Sequence, residues 1–155
     1  MSCVRSVFSL LLTTAFLLTG HGIHMTFLPL MASDIGLSQT VIGFSGSAYF
    51  AGFISGAMVT PHIIAKVGHI RSFTTLMAVF LCCFQVLPMT DNGGVWIFIR
   101  FVLGAVMCGA YTVVESWISD QADARSHGRV LSIYTVIVLA AMALGQGILG
   151  LTYGQ

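Results

Sequence analysis

The chain has 155 residues, of which 57% are hydrophobic and only 7% charged, with a formal net charge of +1 and a mean hydropathy of +0.96. A water-soluble domain carries charge on about a quarter of its residues, so this chain has no surface suited to water. It also has no basic patch suited to nucleic acid.

The first uncharged run extends from Ser6 to Ser33. Arg5 followed by apolar Val7 to Leu18 has the outline of a signal peptide. The run continues without a small-x-small cleavage site, which favours a retained transmembrane helix over 6–31. His21 and His24, three residues apart, share one face of it, and Gly20 and Gly22 beside them weaken the helix locally. Two histidines titrate near neutral pH and suit a polar wall facing a water-filled cavity, but they are too few for a metal site. No metal and no cofactor is expected. Gln146 and Tyr49 are weaker candidates for the same cavity wall.

The second run predicts a helix over 40–64, after a short loop Gly36-Leu37-Ser38-Gln39-Thr40 in which Ser38 or Thr40 can act as a cap. Further helices are predicted over 72–89, 95–117 and 130–151. Each run approaches or exceeds the roughly 20 residues needed to cross about 30 Å of hydrocarbon. Strands of a membrane barrel are about 10 residues of alternating pattern, which these are not. Pro29, Pro61 and Pro88 lie near run ends, and Asp91-Asn92-Gly93-Gly94 is a polar turn. The fold class is therefore all-α, a polytopic membrane protein with five transmembrane helices.

The five loop cations fall on one side of this zigzag: Arg5, then Lys66 and Arg71, then Arg125 and Arg129. The other two loops hold Asp34 and Asp91 but no Lys or Arg. This positive-inside alternation places the amino terminus in the cytoplasm. Glycines inside the helices, chiefly Gly52-x-x-x-Gly56, Gly104 and Gly145, read as packing faces that let helix backbones meet. Gly43, Gly46 and Gly109 add to those faces. The fifth helix offers two such rows, Ala141-Gly145-Leu149 and Ala143-Gly147.

Arg100 is the single basic residue inside a predicted crossing. It suits a cavity or partner role, but it lies about 8 Å of helix rise from the outer end, close enough to snorkel to the interface. Glu115 lies about 22 Å further along the same helix. It reads either as a proton-coupling or substrate carboxylate, with Tyr111 one turn earlier, or as an interfacial acid paired with Arg125 or Arg129. The four cysteines (Cys3, Cys82, Cys83 and Cys108) form no Cys-x-x-Cys pair and read as packing residues. No nucleophile elbow, P-loop or zincin motif is present, so no enzyme is indicated.

The loop Pro61-His62-Ile63-Ile64-Ala65-Lys66-Val67-Gly68-His69-Ile70-Arg71 resembles the major facilitator superfamily pattern Gly-x-x-x-Asp-Arg/Lys-x-Gly-x-x-Arg/Lys. Lys66, Gly68 and Arg71 match. Pro61 stands in place of its glycine, and Ala65 in place of the aspartate that latches the family's outward-open state. Arg100-x-x-x-Gly104 is similar to the family's fourth-helix motif, whose arginine is associated with proton coupling. Glu115 to Arg129 is similar to the polar loop that follows it. The fifth helix lacks the Gly-Pro element of many drug antiporters.

The resemblance implies the amino-terminal bundle of a bacterial inner-membrane secondary transporter, in a fold of six plus six helices. It implies alternating access for a small solute, driven by a proton gradient. His21, His24, Arg100 and Glu115 are then the substrate or proton-coupling candidates, and Lys66, Gly68 and Arg71 the switch loop. Measured against that fold, a sixth helix and the carboxyl-terminal half are missing, so a fragment is expected, with the lipid bilayer and the missing half as partners. The rival expectation is a non-transporting membrane subunit that packs against other helices.

Overall fold

The computed structural model describes residues 2–121 and 127–153, with side chains over 11–120 and 128–152. Arg125 and the tail Gly154-Gln155 lie outside the described residues, as does the side chain of Arg5. Five α-helices follow one another: α1 Ser2–Asp34, α2 Gln39–Val67, α3 His69–Val86, α4 Gly93–Gln121 and α5 His127–Tyr153. A short 3₁₀ turn, Leu87–Met89, follows α3. All five helices are long and apolar enough to cross a membrane. No strand occurs among the described residues, as hydrocarbon requires of a spanning chain without barrel closure.

Several hydroxyl side chains inside the spans are satisfied by their own helix. Thr19 donates to Ala15 O at 2.8 Å, Ser55 to Ala51 O at 2.8 Å, Thr112 to Cys108 O at 2.9 Å and Thr135 to Leu131 O at 3.0 Å. Each hydroxyl bonds the carbonyl one turn back, so these residues need no water.

The connections are short and capped. Gly36 (φ +82°) ends α1, with Leu37 N–H donating to Ala32 O and Gly36 N–H to Ser33 O, both at 3.0 Å, the paired bonds of a glycine C-cap. Of the two expected caps for α2, Ser38 serves, its hydroxyl accepting from Val41 N–H. Asn92 caps α4, its Oδ1 accepting from Gly94 and Val95 N–H at 2.9 and 3.3 Å. Trp96 then folds back to donate its indole N–H to Thr90 O at 2.9 Å.

Two prolines lie near helix ends, each within a helix that the sequence predicts to run past it. Pro29 lies inside α1 and Pro61 inside α2, each followed by more than a turn of helix. A proline removes one backbone bond, and packed or hydrocarbon surroundings leave the freed chain no better alternative than helix.

The chain divides into two compact units, Ala32–Glu115 and Met1–Met31 with Ser116–Gln155. In the first of these, α2 and α4 meet backbone to backbone. A Cβ on Gly52 would strike the Phe101 carbonyl, one on Gly56 the Ala105 carbonyl, and one on Gly104 the Tyr49 carbonyl. Gly109 meets Thr60 and Leu76 side chains. In the other unit α1 and α5 interlock in the same way: Gly22 faces the Met142 carbonyl, and Gly145 faces the Thr19 carbonyl and Ile23 N.

The spacing of the two contacts is the same. Thr19, Gly22 and Ile23 on α1 repeat the intervals of Phe101, Gly104 and Ala105 on α4. Met142 and Gly145 on α5 repeat those of Tyr49 and Gly52 on α2.

Only part of the expected small-residue surface is used. On α5, Ala141, Gly145 and Leu149 are buried while Ala143 and Gly147 are exposed. A Cβ on Gly43, Gly46 or Gly147 would meet nothing. A glycine becomes a contact only where a second backbone lies opposite, and no such backbone faces these three.

Gly52→Leu and Gly145→Leu are each expected to destabilise the protein, by about 1–3 kcal/mol as for other overpacked sites. Gly147→Leu is expected to stay within about 0.5 kcal/mol. Thermal unfolding in detergent measures the difference.

Candidate functional site

Arg100 lies on α4, where 61% of the most apolar stretch is buried, against 11% for α3. Arg100 is only 4% exposed, so the guanidinium is enclosed by protein rather than snorkelling outward. Its Cζ lies 4.7 Å from the centroid of the Tyr49 ring. Tyr49 is itself 3% exposed. Its ring is fixed edge-on by Phe50 at 5.7 Å and flanked by Phe53 at 6.4 Å.

The local sequence explains the geometry. Arg100 and Gly104 are one turn apart and share a stripe of α4. Gly104 lets the α2 backbone approach at the Tyr49 carbonyl, and that approach carries the Tyr49 ring to the guanidinium. The magnitudes are comparable. An arginine at the bilayer centre costs about 2.5–3.5 kcal/mol on insertion scales, an upper bound for Arg100 near the start of α4, and a desolvated cation–π contact returns about 2 kcal/mol. Arg100 Nη1 has no hydrogen-bond partner among the described residues.

Glu115, on the same helix, is exposed. Its position about 22 Å along the axis keeps it away from Arg100. Tyr111, one turn before it, packs against Phe53 at 6.2 Å between ring centroids. In the other unit His21 and His24 are brought together: their rings stack at 5.9 Å with 25° between planes, and both are buried. Among the described residues no three His, Cys, Asp or Glu gather as metal ligands. Of the cysteines, Cys108 is buried, Cys83 half-buried and Cys82 exposed. Gln146 is exposed on α5, whereas Tyr49, the other weaker candidate, becomes the principal neighbour of Arg100. The sequence signal for it is Tyr49 set one turn before Gly52-Phe53, opposite Arg100 set one turn before Gly104.

The loop residues form a one-residue joint. Gly68 alone separates α2 from α3, at φ +81° and ψ 170°. Its N–H closes α2 on Ile64 O at 2.8 Å, and its carbonyl accepts from Ser72 N–H at 3.2 Å and from Ser72 Oγ at 2.7 Å. Lys66 and Arg71 flank it, both exposed, as is Ala65. Among the described residues neither cation makes an ion pair.

A family model described as Major Facilitator Superfamily matches residues 10–155. The chain belongs to the major facilitator superfamily. It is thus a multi-pass membrane protein of a family of transporters. Among the superfamily's curated members, the uncharacterized MFS-type transporter YcaD of Escherichia coli K12 is 29% identical over 147 residues, covering 94% of this chain and 38% of that protein. The YcaD of Escherichia coli O157:H7 strain EC4115 is 29% identical over 138 residues, covering 88% of this chain and 36% of that protein. The chain therefore spans less than two fifths of the length of these relatives. No solved structure matches it significantly.

Within the superfamily pattern, Gly68 is the position with a direct backbone reason. Its φ and ψ lie in a region open essentially to glycine alone. Gly68→Ala is expected to destabilise the protein by about 1–3 kcal/mol, read as a lower thermal midpoint in detergent, whereas Ala65→Ser, at an exposed helical site, is expected to leave it unchanged.

Proposed function

We propose that this chain is the amino-terminal part of a secondary transporter that moves a small solute by alternating access, coupled to protons, and that it has no enzymatic activity. The observation that carries the reading is a buried arginine inside the fourth span of a superfamily chain, held against an aromatic ring where packing alone gives no reason for a charge. An intramembrane ionisable group marks a solute or ion path by default. Arg100 is the coupling residue in this reading, and Glu115, His21 and His24 are further candidates for substrate contact or proton coupling. The Lys66-Gly68-Arg71 joint is the switch element. The relatives' greater length supports a protein in which a second bundle completes the solute site between two halves. The bacterial relatives support the inner membrane as the location, and the loop charges support a cytoplasmic amino terminus.

Two experiments test this. For orientation, a reporter fused after Lys66 is expected to read cytoplasmic and one fused after Asp91 periplasmic; the reverse pattern overturns the topology. For coupling, the protein as its gene encodes it is placed in proteoliposomes with an entrapped pH dye and screened against an array of small solutes. At least one solute is expected to move protons with the wild type. Arg100→Ala is expected to lower that flux at least about tenfold, an effect of 1.4 kcal/mol or more, with expression unchanged. Undiminished flux removes Arg100 from the mechanism.

A further inference from the structure

The two glycine interlocks give this protein an internal control for the Arg100 site. Gly104 meets the Tyr49 carbonyl on α2, and Gly22 meets the Met142 carbonyl on α5. In that register Arg100, which precedes Phe101, matches Leu18, which precedes Thr19, and Tyr49 matches Met142. Leu18 is buried, as Arg100 is. The same backbone contact is therefore built once with Leu and Met and once with Arg and Tyr. Packing requires neither a charge nor an aromatic ring at these positions.

The Arg–Tyr version also holds its charge unusually. Arg100 Nη1 has no hydrogen-bond partner among the described residues, and its Cζ lies 4.7 Å from the centroid of the Tyr49 ring. A buried arginine usually has a carboxylate opposite. Here a ring faces the guanidinium, and no acid pairs with it among the described residues.

We propose that Tyr49 is the positioning residue of Arg100: its ring, pinned by the Gly104 contact and by Phe50 and Phe53, holds the guanidinium in place in the span. Its importance for transport rests on the coupling role given to Arg100 above. The geometry itself does not.

The test uses the full-length protein in detergent micelles and in proteoliposomes. In ¹⁵N-edited spectra, the side-chain N–H resonance of Arg100, assigned by its loss in Arg100→Leu, is expected to show the ring-current shift of a guanidinium stacked on an aromatic face. Tyr49→Phe is expected to keep that shift and Tyr49→Leu to lose it. An Arg100 resonance unmoved in Tyr49→Leu overturns the proposal. The double variant Tyr49→Met/Arg100→Leu copies the α1·α5 pair. It is expected to express and melt like the wild type while solute-driven proton flux falls at least about tenfold. A double variant that fails to fold makes the pair a packing element and also overturns the proposal. If Tyr49→Leu moves the Arg100 resonance but Arg100→Ala retains full flux, the coupling reading fails and the positioning of Arg100 by Tyr49 stands.

Discussion

Backbone contact across glycine is the interaction on which the rest depends. Lipid tails are as apolar as leucine, so helices in a bilayer gain nothing by hiding hydrophobic side chains from solvent. What remains is close packing, and it is strongest where a bare Cα lets one helix's carbonyls rest against another. Gly52, Gly56 and Gly104 do this between α2 and α4, and Gly22 and Gly145 between α1 and α5. Large apolar side chains such as Phe44, Phe50, Ile54 and Met58 are exposed on α2, an arrangement that suits contact with lipid and would be a liability in water.

The site is a by-product of that contact. Arg100 is tolerable in the span because Gly104, one turn away, draws in the backbone that carries Tyr49. Internal repeats are the usual construction of secondary transporters. Here the repetition of Thr19-Gly22-Ile23 by Phe101-Gly104-Ala105 shows which features belong to the scaffold and which are additions. The charge is an addition.

The sequence exposes those features that depend on one segment alone. Five apolar runs and their polar breaks give an all-α membrane chain. The loop pattern around Lys66, Gly68 and Arg71 points to the family. His21 and His24 share a face because helical periodicity puts them there, and their stacking follows. Features that need two segments are not legible. All 17 glycines look alike in the sequence, yet Gly52 meets a carbonyl while Gly43 meets nothing. Tyr49 stands out little until Arg100 is seen over its ring.

The joint at Gly68 limits what α2 and α3 can do as neighbours. A longer linker would absorb a slide of one helix along the other. A single residue, hydrogen-bonded into both helices, has no slack for it. A displacement of α2 along its own axis would therefore carry the start of α3 with it, and the two backbone dihedrals of Gly68 are the freedom that the connection itself offers the pair.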